Sequence, residues 1–186
     1  MKFFGGELAP CEHIVQFYET DALFLDTLEG FVAGGLRRNE SVVLIITPAH
    51  LESLESRLNE RSNLNLTDLR QQGRYLTFDA EETLSKFMVN GWPNRELFAK
   101  TVTPILKRAR AHSTRVIAFG EMVALLWSQG LNGATVALEN IWHEFCGQDG
   151  LSLLCAYPKV GFTAENASSI SDICASHSKV YDFHKN

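Results

Sequence analysis

The side chains best suited to chemistry in this sequence are carboxylates with one imidazole among them: Glu19, Asp79, Glu81, Glu121 and His50, joined by Tyr18 and Tyr157. A carboxylate beside a histidine can relay protons, or can hold a cation or a polar ligand. Glu121 or Asp79 paired with His50 supplies the acid–base option, provided the fold brings them together. A second set is built from thiol and imidazole. Cys11 and His13 stand two apart and share one face of an extended segment, while Cys174 and His177 stand three apart and share one face of a helix. Were these two ends of the chain to meet, a soft metal would find donors there. No pair has the tight loop spacing of a structural zinc site, and buried cysteine commonly serves as a small hydrophobe, so no metal and no cofactor is expected.

The four cysteines, Cys11, Cys146, Cys155 and Cys174, contain no CxxC pair and signal neither a zinc ribbon nor a disulfide framework. There is no GxSxG elbow, and Ser41, Ser128 and Ser152 lie in no motif that would expose a nucleophile. The sequence therefore points away from a hydrolase.

Short apolar runs alternate with segments of helical period, the pattern of βα units around a mostly parallel sheet. Strands are predicted at His13–Tyr18, Val42–Thr47, Tyr75–Phe78, Val116–Phe119 and Leu151–Tyr157. The runs VVLIIT and LSLLCAY are nearly all apolar, as strands covered on both faces should be. Phe24, Leu28, Phe31 and Val32 predict a first helix ended by Gly34-Gly35, and Thr47 and Pro48 open a second as N-cap and first residue. Asp79 caps a third, which Gly91-Trp92-Pro93 breaks. A fourth starts near Asn94 with Pro104 kinking it, Met122–Trp127 is short and buried, and Ala134, Leu138, Ile141, Trp142 and Phe145 make the clearest helical stripe. A last helix covers Ile170–Val180. Trp127, Trp142, Met122 and Phe119 would wall an apolar pocket if a cavity exists.

Functional residues of open α/β sheets collect at the carboxyl ends of the strands. Here that rim comprises Tyr18, Glu19, Thr47, His50, Asp79, Glu81, Gly120, Glu121 and Tyr157. In a nucleotide-binding protein the first strand would feed a glycine-rich turn and a lysine around phosphate. This chain has Tyr18-Glu19-Thr20-Asp21 instead, whose two carboxylates repel phosphate. ATP hydrolysis is not expected, and Thr20 or Asp21 reads as an N-cap.

Seventeen Lys and Arg against 22 Asp and Glu give a net charge of -5, so no global basic field exists to hold nucleic acid. Arg37-Arg38 and the set Lys107, Arg108, Arg110 and Arg115 read as solvated helix ends. No stretch approaches the ~18 continuous apolar residues of a membrane span. A cytoplasmic chain with reduced thiols and no membrane partner is expected. Length and composition suit a single domain over residues 1–186, with its core at 13–160 and a C-terminal helix at 165–181.

The runs HIVQFYETDALFLDTLEGFVAGGL, VVLIITPAH, DAEETLSKFMVNG, VIAFGEMVALLW, LENIWHEF and LSLLCAYP, with ICASHSKV near the end, occur in that order. Together they resemble the MEDS sensory-domain family, named for methanogens, methylotrophs and the dichloromethane-responsive regulator DcmR. The resemblance implies a three-layer, RecA-like or KaiC-like fold, P-loop NTPase-like but without the P-loop. It implies a non-enzymatic input domain that senses small hydrocarbon or halogenated C1 compounds. Relatives of this kind stand beside histidine-kinase, anti-sigma-like or helix-turn-helix modules. If these 186 residues are a complete protein they have no room for such a module, and signalling through a separate histidine kinase or transcription regulator is then expected; exposed sheet edges also suit a homo-oligomer. His13, Tyr18, Glu19, His50, Asp79, Glu81, Glu121 and Tyr157 match the family motifs and are the expected ligand-binding residues. The alternatives are a protein-binding adaptor without ligand, or an acid–base or metal-dependent enzyme using Glu121, Asp79 and His50.

Overall fold

The computed structural model describes residues 12–149 and 151–182. In chain order the strands are β1 (His13–Tyr18), β2 (Ser41–Ile46), β3 (Tyr75–Asp79), β4 (Met88–Val89), β5 (Trp92–Pro93), β6 (Val116–Gly120), β7 (Ser152–Pro158) and β8 (Lys179–Asp182). Six of them form one sheet in the order β3-β2-β6-β7-β1-β8, with every neighbouring pair parallel. β4 and β5 make a separate antiparallel hairpin, turned through Asn90 and Gly91 at positive φ. Gly91-Trp92-Pro93 thus belongs to a hairpin rather than to a simple helix stop.

The helices are α1 (Asp21–Arg37), α2 (Pro48–Arg61), α3 (Leu66–Gln71), α4 (Ala80–Ser85), α5 (Arg95–Arg110), α6 (Met122–Ser128), α7 (Asn132–Asp149) and α8 (Ala167–Ala175). Alternate strand residues feed two cores. Ile14, Leu44, Ile46, Phe119 and Leu154 pack with α1, α2 and α3. Val15, Val43, Ala118, Cys155 and Tyr157 pack with α4 to α8 on the other face. The result is the three-layer α/β arrangement that the alternating pattern predicts.

Several boundaries depart from expectation for physical reasons. α1 does not stop at Gly34-Gly35. A Cβ on Gly35 would lie 2.2 Å from Ile117 Cδ1, so this glycine lets α1 press against β6 instead of ending the helix. α5 starts where predicted, with the Asn94 side chain accepting from the Leu97 amide at 3.0 Å, and runs on past Pro104. α8 ends at Ala175, and the chain returns as edge strand β8 beside β1 instead of continuing a helix to Val180. Arg37 closes α1, and Lys107, Arg108 and Arg110 close α5, as expected, whereas Arg38 and Arg115 pair with the buried carboxylate of Glu40 at 2.9 and 3.5 Å.

The four residues expected to wall one apolar pocket are all buried, but they do not share a face. Phe119 packs with α1–α3, whereas Met122, Trp127 and Trp142 lie in the opposite core. Strand alternation separates them, so a common pocket wall is ruled out. No helix among the described residues is long and apolar enough to cross a membrane.

Candidate functional site

Helices α2 and α6 leave the neighbouring strands β2 and β6 on opposite faces of the sheet, the switch point at whose carboxyl ends open α/β sheets are expected to place a ligand crevice. Glu121 sits there, 6% exposed, at the N-cap position of α6, yet its side chain makes no cap. It reaches across to β2 instead. Its Oε2 accepts from the Thr47 amide at 2.7 Å, and its Oε1 accepts from the Thr47 hydroxyl at 3.2 Å and from His50 Nδ1 at 2.6 Å. Thr47 in turn gives up the side-chain cap expected of it at the start of α2. Thr47, which the sequence assigned to a helix cap, is thus spent with Glu121 on a carboxylate–imidazole pair.

An aromatic run flanks this pair. The Phe24 ring lies 5.0 Å from His50, stacks on Tyr18 at 5.0 Å, and stands 5.5 Å from Phe119. Burial first, then the charges of Asp21 and Glu121, push the Tyr18 phenol up, so it remains a neutral group here. The hydrogen bond to Glu121 raises His50 above its ordinary 6.5, against an opposing push from partial burial. Because the folded state holds that proton more tightly, its stabilisation is complete below pH 6.5 and is lost as pH rises through the raised value. The His50 ring carbons, followed by NMR, should titrate above 6.5 and fall back in Glu121→Gln. A titration at 6.5 that ignores the substitution would contradict this geometry.

The remaining predicted residues separate. Asp79 caps α4, accepting from the Glu82 amide at 2.8 Å, and Glu81 is exposed in the first turn of the same helix. Glu19 stands 4.0 Å from Lys159. Asp79 therefore does not join Glu121 and His50, and the three-residue acid–base set does not assemble. His13 and Tyr157 are not at the rim: both side chains enter the buried core under α7.

There they meet a cluster that the sequence reading only half anticipated. His13 and His177 come together, with ring centroids 3.9 Å apart, but their companions are Glu139 and Cys155. Cys174 is outside the group, and Cys11 lies outside the described residues. Glu139 is fully buried on α7; its Oε2 lies 3.3 Å from His13 Nε2, 3.5 Å from His177 Nε2 and 3.4 Å from Cys155 Sγ, while its Oε1 accepts from the Tyr157 hydroxyl. Burial alone would raise this carboxyl; the imidazoles of His177 and His13, with the hydrogen bonds from His13 and Tyr157, outweigh it and hold Glu139 down at about 2. Burial and the Glu139 charge push the Cys155 thiol and the Tyr157 phenol up. These four residues, His13, Glu139, Cys155 and His177, are also the ones able to hold a metal among the described residues. Glu139 carries a signal that was readable: it places a carboxylate on the same buried stripe of α7 as Thr135, Trp142 and Cys146.

A parallel six-stranded sheet between two helical layers, with acidic residues where a phosphate loop would be, gives the chain a KaiC-like, RecA-like α/β fold without a P-loop. The solved structures agree on the fold. The KaiC-like protein PH0186 from Pyrococcus horikoshii OT3 matches with a TM-score of 0.62 at 11% identity, covering 97% of this chain and 76% of that one. The uncharacterized protein PH0321 from Pyrococcus horikoshii, solved in complex with an unknown peptide, matches at 0.64 and 12% identity, covering 100% and 82%. The flagellar accessory protein FlaH from Methanocaldococcus jannaschii matches at 0.52 and 14% identity, covering 100% and 77%. No curated protein matches the sequence. Residues 12–178 match the family described as the methanogen/methylotroph, DcmR sensory domain, and the chain belongs to this MEDS family.

Proposed function

We propose that this chain is a non-enzymatic signal-input domain that holds a small-molecule effector at the carboxyl ends of β1, β2 and β6. The observation that carries the reading is the diversion of Glu121 and Thr47 from helix capping into a clamp with His50 across the β2–β6 crevice. That clamp offers a partly exposed imidazole as a polar handle, with Phe24 and Tyr18 as an apolar flank. Such a combination suits a compact ligand with one polar or halogenated end and a small hydrocarbon part. Membership of a sensory-domain family supports the same role. Glu19 and Asp21, in the place of a phosphate loop, support a role without nucleotide hydrolysis. The domain acts in the cytoplasm, where the bound and free states meet a histidine kinase or transcription regulator with different affinity.

Thermal-shift measurements on the purified chain, against small halogenated, C1 and hydrocarbon compounds with nucleotides and divalent metals as comparison sets, test the reading through binding linkage. A concentration-dependent stabilisation by one organic class is the expected result. One observation favours a second reading, a ligand-free adaptor: both Glu121 oxygens are already taken by protein donors. Absence of any organic stabiliser, with a defined regulatory protein still bound by the chain, would select that adaptor.

A further inference from the structure

We propose that His13, Glu139, Cys155 and His177 form a closed, four-coordinate site for a zinc-like divalent transition-metal ion. The four donors arrive from four separate places in the fold: the start of β1, the middle of α7, strand β7 and the turn between α8 and β8. Their ligand atoms all lie within 4.8 Å of one another. Zinc–nitrogen, zinc–oxygen and zinc–sulfur bonds of the usual lengths give a tetrahedron with edges of about 3.3–3.6 Å. The measured edges are 3.3 Å for His13 Nε2 to Glu139 Oε2, 3.5 Å for His177 Nε2 to the same oxygen, 3.6 Å for Cys155 Sγ to His13 Nε2, and 3.4 Å for Cys155 Sγ to Glu139 Oε2. Four of six edges thus have tetrahedral length without any adjustment.

The surrounding hydrogen bonds aim the right atoms inward. His13 Nδ1 donates to the Ser176 carbonyl at 3.1 Å, and His177 Nδ1 donates to the Ile173 carbonyl at 2.6 Å. Each imidazole therefore points its Nε2 at the centre, where a bound ion would take the lone pair in place of the present contact with Glu139, the arrangement that fixes the tautomer of metal-binding histidines. His177 Nε2 is buried and has no hydrogen-bond partner, a costly state that an ion would relieve. Tyr157 occupies Glu139 Oε1 and leaves Oε2 for coordination. A thiolate with two imidazoles and one carboxylate suits zinc rather than magnesium or calcium, which want oxygen alone. A divalent ion also balances the two negative charges of Glu139 and a Cys155 thiolate, with the thiol proton released to solvent on binding. With four protein ligands and no open position, the ion is structural. It ties the β1 and β8 edge of the sheet to α7. A surface cleft lined by Val136, Asn140, His143, Asp172, Ala175 and Ser176 lies outside the cluster, next to the Ser176 carbonyl that accepts from His13. This site lies on the opposite face of the sheet from α2 and stands independently of the effector reading.

The test is metal analysis of the full chain purified without chelator, followed by replacement with Co²⁺. About one zinc per chain is expected, and the Co²⁺ form should show the intense visible bands of a tetrahedral site plus a near-ultraviolet thiolate charge-transfer band. Cys155→Ser should abolish the charge-transfer band and weaken Zn²⁺ binding more than about tenfold. The wild-type cobalt spectrum decides the matter even if that variant does not fold. A metal-free chain that gives no tetrahedral, thiolate-ligated spectrum on adding micromolar Zn²⁺ or Co²⁺ overturns the proposal, as does a Co²⁺ site without the thiolate band.

Discussion

Replacing Glu139 with alanine is expected to lower the unfolding free energy by about 3–5 kcal/mol, a large fraction of the whole for a domain of this size. The carboxylate is fully buried and is the point on which two imidazoles, one thiol and one phenol converge. Its removal strands those polar groups in the core and leaves a cavity between α7 and the sheet. The effect holds with or without a bound ion, since in either case the residue that balances the cluster is gone. Urea unfolding measures it, and Glu139→Gln, which keeps the shape and drops the charge, should also destabilise the fold, by less. A loss under about 1 kcal/mol for the alanine variant would show that the cluster is not an organising element of the core.

Glu121→Gln should have the opposite profile, with the fold retained and effector binding weakened at least tenfold, or ~1.4 kcal/mol. Glutamine still offers an acceptor to the Thr47 amide, so the link between β2 and β6 survives. The charge that orients His50 and raises its hold on a proton is lost, and with it the polar handle of the site. His50→Ala should weaken binding in the same direction with little change in stability, because the ring is partly exposed. Parallel titrations of the wild type and both variants with whichever compound stabilises the wild type provide the measurement. If either variant unfolds, the pair is structural; if both bind as tightly as the wild type, the effector lies elsewhere.

The sheet was legible in the sequence where strands are buried on both faces. VVLIIT and LSLLCAY have no polar alternation to confuse with a helix, and β2 and β7 fall within a residue of the predicted spans. β8 was not legible, because four residues, Lys179–Asp182, at an edge carry too little periodicity to compete with the helical pattern before them. Gly34-Gly35 misled because a helix-stop residue and a close-packing residue look alike until the neighbour, Ile117, is known.

The rim was legible as a list and not as a constellation. His50 and Glu121 are 71 positions apart, and only the adjacency of β2 and β6 joins them, while the same rule wrongly placed Tyr157, whose side chain alternates into the opposite core. The meeting of His13 and His177 depends on β8 pairing with β1, the strand that the sequence concealed. Glu139 was the missed clue. A carboxylate on the apolar stripe of α7 requires partners, and Cys155 and Tyr157, two apart on β7, face it from the sheet.

The most direct test of the effector site is to map amide chemical shifts of the isotopically labelled chain while adding the stabilising compound. The largest changes should fall on Tyr18, Phe24, Thr47, His50 and Glu121, the residues around the carboxyl ends of β2 and β6. Changes confined to other parts of the surface, with these five amides unmoved at saturation, would contradict this placement.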